Sequence, residues 1–150
     1  MDFAGGTNVR IGKILVAIDG SEHAQRALDH ALSLALKYRA VVYLVHVLSP
    51  LPLMTEQAEV GEEIEEKRRA LAEEFLEQAV RQVEKRGVRN FQSTLLLGAP
   101  ERMIVDFAGR NGIDMIVMGS RGAGAVENLL LGSVSHKVCQ LAPCTCVTVK

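Results

Sequence analysis

The chain switches between two hydrophobic periods, and that alternation limits the folds open to it. KILVAI (13–18) is an almost unbroken apolar run, whereas Ala24, Ala27, Leu28, Ala31, Leu32 and Ala35 recur at helical spacing just after it. An apolar run without a polar face suits a strand buried on both sides of a parallel sheet. Apolar residues at 3.6-residue spacing give a helix one face to lay on that sheet. Ser21 stands where such a helix needs a side-chain cap. VVYLVHVL (41–48), rich in β-branched residues, starts the cycle again as a second strand.

Pro50 and Pro52 then break regular structure, and residues 49–61 are expected to form a flexible loop. The span 62–86 predicts a long amphipathic helix with Ile64, Leu71, Phe75, Ala79 and Val83 on or near one face. Glu63 with Lys67, Glu65 with Arg69 and Glu77 with Arg81 have the i,i+4 offset of helix ion pairs, and Gly87 supplies a stop. The charges read as a solvated face. FQSTLLLG (91–98) is a third strand; Pro100 opens a helix through Met103, Ile104, Phe107 and Ala108. DMIVMG (114–119) is a fourth strand, Val134, Val138 and Leu141 mark a last helix that Pro143 ends, and CTCVTVK (144–150) is a fifth strand. Strands alternating with helices in this way specify a single α/β domain over residues 1–150, preceded by an extension at 1–12, with a mostly parallel sheet and right-handed crossovers. Ligands of such sheets bind beyond the carboxyl ends of the strands, here at Asp19, Val47, Gly98 and Gly119.

At 150 residues and 48% apolar content the chain supports one well-buried core. Its 17 basic and 18 acidic residues leave a net charge of -1, without the broad positive field that nucleic acid or anionic lipid requires. Any phosphate site must be local. No run approaches the ~18 apolar residues of a membrane span, and the N-terminal segment lacks a secretory signal pattern, so a cytoplasmic protein is expected. Cys139, Cys144 and Cys146 are an odd number crowded near the C-terminus and form no disulfide framework. With His136 they offer four zinc-type donors, but paired CxxC knuckles are missing, and small hydrophobes of a core strand are the preferred reading; no metal site is expected.

MGSRGAGAVENLLLGS (118–133) holds four glycines in sixteen residues. A Walker A loop would need a lysine after its second glycine, but Ala125 and Val126 follow Gly124. A dinucleotide fingerprint would need GxGxxG after the first strand; here the third glycine is replaced by Glu127 and the loop follows the fourth strand. What remains is Gly119-x2-Gly122-x9-Gly132-Ser133, with Gly124 an extra. The first two glycines would bring backbone amides against a phosphate, and the last glycine and serine would open a helix whose free amides favour an anion.

These residues, together with KILVAIDGSEHAQRAL (13–28) and LVHV (44–47), make the chain resemble the ATP-binding branch of the universal stress protein family, over nearly its whole length. The resemblance implies a sheet of order 3-2-1-4-5 and a nucleoside pocket lined by Ala17, Ile18 and Asp19, with Asp19 binding ribose hydroxyls. It implies that the backbone of Val47 meets adenine, and that Met118, Gly119, Arg121, Gly122, Gly132, Ser133 and Val134 surround the phosphates, with Mg²⁺ accompanying them. Read by residue type alone, Asp19-Gly20-Ser21 is better taken as a turn and a helix start; the full glycine motif opposite it favours the pocket. The resemblance also implies a homodimer through residues 144–150, since the last strand would lie at a sheet edge.

Catalytic machinery is not apparent in the sequence. Ser133 and His136 are three residues apart without an orienting carboxylate, no GxSxG elbow exists, and His23, His30 and His46 read as structural. The SGGxDS and HxGH segments of adenylating enzymes are missing, as is a receiver's acceptor aspartate at the end of the third strand. The expected function is an ATP-binding stress-response regulator in which the nucleotide tunes a dimer or its contact with an unidentified protein partner. The alternatives are a slow ATPase or autokinase, with Ser133 or Ser135 as acceptor, and a partner-binding module without nucleotide.

Overall fold

The computed structural model describes residues 8–51, 58–122 and 131–150. Five strands, β1 (Lys13–Ala17), β2 (Val41–Leu48), β3 (Phe91–Leu97), β4 (Met115–Gly119) and β5 (Thr145–Val149), alternate with helices α1 (Glu22–Tyr38), α2 (Ala58–Lys85), α3 (Pro100–Asn111) and α4 (Ser133–Leu141). The strands form one parallel sheet in the order β3-β2-β1-β4-β5. The expected fold class and strand order are both present.

The alternation of side chains along each strand divides the core into two layers. Ile14, Val16 and Ile18 pack with Val42 and Leu44 under α1 and α2, whereas Leu15, Tyr43, Val45, Ile116 and Met118 pack under α3 and α4. Ile14, Leu15 and Val16 are all fully buried, which is why their strand shows no polar alternation. Asp114 ties the base of the sheet together: its Oδ2 accepts from the Gly12 and Lys13 amides at 2.8 and 2.9 Å.

The helix α2 differs from its sequence reading in three respects. It begins at Ala58, so residues 58–61 of the expected loop are helical; residues 52–57 lie outside the described residues. Gly61 is tolerated because the loss of about 1 kcal/mol is outweighed by propagation along so long a helix. The packed face is Ala72, Leu76, Ala79 and Val83, whereas Ile64 and Leu71 are 40% and 50% exposed. At about 1.5 Å per residue a helix of 28 residues is longer than a strand of 8 residues at about 3.3 Å each, so its first turns run past the sheet. The ion pairs Glu63–Lys67 and Glu77–Arg81 are present, but Glu65 pairs with Arg68, and Arg69 with Glu73. Arg68 is held there because its Nη2 also donates to the Ser49 carbonyl at 2.6 Å, at the end of β2.

Helix α1 starts as its sequence indicates. Ser21 is the N-cap, and its Oγ accepts from the Ala24 amide at 3.1 Å while donating to Asp19 Oδ1 at 2.5 Å. The Ser21 amide donates to the same Asp19 oxygen at 2.9 Å. Ser21→Ala removes the cap bond and the Oγ contact to Asp19 at once, leaving the backbone amide contact in place. The expected loss is about 1–2 kcal/mol, the upper range for a cap, read as a fall in Tm of roughly 2–8 °C; an unchanged Tm would mean that the cap contributes nothing here.

Candidate functional site

Chain reversals at the carboxyl edge of the sheet leave a gap between β1 and β4, where the strand order changes direction. A cavity of about 440 Å³ lies there, within the range of small-molecule sites. All eleven residues expected around a nucleotide line it: Ala17, Ile18 and Asp19 from β1 and its turn, Val47 from β2, Met118, Gly119, Arg121 and Gly122 from β4 and its loop, and Gly132, Ser133 and Val134 at the start of α4. Of the strand ends singled out, Gly98 does not line it; its positive φ of 143° belongs to the turn packed on Met103.

Each glycine of the split loop has a distinct task. A Cβ on Gly119 would stand 2.6 Å from His23 Cβ and 2.9 Å from the Ala24 amide nitrogen, so this glycine lets β4 pass against the first turn of α1. That is a packing role the spacing did not suggest, at a residue that also lines the cavity. A Cβ on Gly122 would stand 3.1 Å from Asp19 Oδ2, so here the missing side chain brings the loop beside the carboxylate. Gly132 is the N-cap of α4, without a side-chain cap bond, and its amide donates to the Ser120 carbonyl at 2.6 Å. This bond closes the base of the loop, whose residues 123–130, including Gly124, lie outside the described residues. Ser133 is therefore the first helical residue and not a cap, and the first amides of α4 open toward the cavity without a side-chain acceptor of their own.

Sequence reasoning missed several wall residues: Ala24, Val45, His46, Pro100, Ile104 and Ser135. The apolar ones carry no signal beyond their place in a strand or helix face. Ser135 is buried and donates from Oγ to the Gly119 carbonyl at 2.8 Å, holding α4 against β4. His46 Nδ1 donates to the Ile18 carbonyl, and its ring stands edge-on to Phe75 with centroids 5.7 Å apart. Gly20, with φ of +79°, faces that same Phe75 ring, where a Cβ would come within 2.4–2.9 Å of it.

Among the described residues is a hydroxyl–imidazole pair that the sequence did not suggest. His23 Nδ1 lies 3.1 Å from Ser120 Oγ, but Ser120 is 3% exposed and neither residue lines the cavity, so the pair ties α1 to the residue that follows β4. His136 does not line the cavity.

Among the described residues no group of three or more His, Cys, Asp or Glu is placed to hold a metal ion. Cys144 and Cys146 pack against the α3–α4 core layer, whereas Cys139 is exposed. Burial, and then the neighbouring Cys139 and Cys144, push the Cys146 thiol up to about 12; burial likewise raises Cys144. Because the thiolate is the nucleophile, iodoacetamide at pH 8 is expected to label Cys139 first and to reach Cys144 and Cys146 only slowly. Mass mapping of the labelled peptides checks this order, and equal rates at the three sites would contradict it. No helix among the described residues is long and apolar enough to cross a membrane.

Comparison with known proteins agrees with the geometry. The family model described as "Universal stress protein family" matches residues 10–150. A universal stress protein of Bacillus subtilis is 36% identical over 146 residues, covering 92% of this chain and 98% of its own. The structure of a universal stress protein from Lactobacillus plantarum superposes with a TM-score of 0.87 at 27% identity, covering 95% of this chain and all of that one. The universal stress protein of Archaeoglobus fulgidus, solved in complex with dAMP, gives 0.66 at 28% identity, covering 95% of this chain and 99% of its own. With the sheet order, the split glycine loop and these matches in agreement, the chain belongs to the universal stress protein family.

Proposed function

We propose that the cavity binds ATP and that the bound nucleotide regulates the protein's assembly or partner contacts. The observation that carries this reading is convergence. Residues from five separated stretches of chain meet around one cavity, whose wall includes a carboxylate and an uncapped helix N-terminus. Asp19 suits ribose hydroxyls, which are donors. The loop amides and the start of α4 suit phosphate oxygens. Ala17, Val45, Met118 and Ile104 supply apolar wall for a base. The dAMP complex of the Archaeoglobus fulgidus relative supports the same ligand class.

Micromolar binding corresponds to about 8 kcal/mol, whereas a helix end contributes roughly 0.3–1 and up to ~2 in good geometry. Burial of the base and hydrogen bonds to the loop must therefore supply most of the affinity. With no three-ligand cage among the described residues, Mg²⁺ would be carried by the phosphates and water, as is usual for this ion.

Small molecules released on denaturing freshly purified protein are expected to include an adenine nucleotide. Titration of nucleotide-stripped protein with MgATP is expected to give micromolar binding. Absence of both would overturn the reading and favour a partner-binding module without nucleotide. Ser133 lines the cavity at the first turn of α4; transfer of labelled phosphate to a serine that is lost in Ser133→Ala would favour the slow autokinase. The pairing surface proposed for a twofold dimer is β5, which occupies one edge of the sheet. Sedimentation at micromolar concentration is expected to give a dimer.

A further inference from the structure

The ladder between β1 and β2 ends in an unusual way. Val41 N–H donates to the Gly12 carbonyl and Val45 carbonyl accepts from Ile18 N–H, so odd-numbered residues of β2 direct their backbone groups toward β1. Val42 N–H and the Leu48 carbonyl bond toward β3, which fixes the even-numbered residues on the other side. The next rung toward β1 would be Val47 N–H to the Ile18 carbonyl. Among the described residues no backbone amide reaches that carbonyl; the His46 imidazole takes it instead, through a protonated Nδ1, since a carbonyl can only accept. Val47 lines the cavity at the point where the ladder stops.

We infer that His46 is a positioning residue that holds the Ile18 carbonyl away from Val47, keeping the Val47 backbone edge open for the ligand's base. The inference rests on the proposed nucleotide site. It assigns His46 a role of its own in that site. Without the imidazole the Ile18 carbonyl is free to complete the rung with Val47 N–H, which removes the amide from the cavity and turns the Asp19 peptide with it. Phe75 supports the arrangement, lying edge-on to His46 and against Gly20. A purely structural histidine would affect stability but would leave the Val47 amide as it is.

The test uses nucleotide-stripped full-length protein and three variants. His46→Leu and His46→Val remove the donor with different packing, so that one folded variant suffices; His46→Asn keeps an N–H donor near the Nδ1 position. Hydrogen exchange of the Val47 amide, followed by NMR, is expected to slow at least tenfold in H46L or H46V and to stay near the parent rate in H46N. MgATP affinity is expected to fall at least tenfold in the apolar variants and to be restored to within threefold by H46N. Unchanged Val47 exchange in a folded apolar variant overturns the inference, as does H46N binding no better than H46L. If the parent protein binds no nucleotide, the proposed function fails, while the exchange measurement still decides the role of His46.

Discussion

Valine at position 119 is expected to leave little folded protein, and alanine alone to be strongly destabilising. Gly119 ends a strand whose every residue is buried. A Cβ there would meet His23 Cβ at 2.6 Å, the His23 carbonyl carbon at 2.8 Å and the Ala24 nitrogen at 2.9 Å. Two of these are backbone atoms of the first turn of α1, which cannot rotate away. That turn is itself fixed by the Ser21 cap and by the His23–Ser120 bond. Relief therefore requires α1 to move off β4, disturbing the core shared by Ala27, Ala31 and Val117. Overpacking of this kind costs about 1–3 kcal/mol or more, which for a domain of this size is a fall in Tm of roughly 2–12 °C for Gly119→Ala. A melting curve for G119A that overlays the parent's would disprove the close passage of α1 over β4.

Leucine at position 122 is expected to do the opposite: the fold survives and ligand binding does not. Gly122 is exposed and is not among the glycines of positive φ, so a side chain is permitted by the backbone. Its Cβ would nevertheless stand 3.1 Å from Asp19 Oδ2, with the rest of a leucine directed into space the nucleotide would need. The expected result is at least a hundredfold weaker MgATP binding, equivalent to about 2.8 kcal/mol, with Tm within about 2 °C of the parent, as for other exposed sites. Gly122→Ala should fall between the two. Calorimetric titration alongside a melt separates the effects, and parent-like affinity in G122L would remove this loop from the binding site.

The contrast between these glycines illustrates what could be read in the sequence. Spacing alone placed Gly119, Gly122 and Gly132 in one motif, and all three do line the cavity. It could not assign their separate tasks, because those depend on what lies opposite each Cα: the α1 backbone, the Asp19 carboxylate, and Arg121 with Ser120. The histidines show the same limit. His46 in an apolar strand reads as structural; only the register of β2 against β1 reveals that its imidazole replaces a backbone rung beside the cavity. For α2, periodicity located the helix, but its buried face is set by how far the sheet extends beneath it, which local sequence does not encode.

By itself the sequence determined the alternation of strands and helices, the cap at Ser21, and the glycine spacing that marks the loop after β4, because these follow from local periodicity and local backbone demands. Tertiary structure alone decided that Asp19 faces Gly122, that Phe75 lies against Gly20, and that His46 takes the Ile18 carbonyl. Those contacts join residues far apart in the chain. They exist because parallel crossovers bring every strand's carboxyl end to one edge, so the chemistry of the cavity is set by register and packing and not by any single segment.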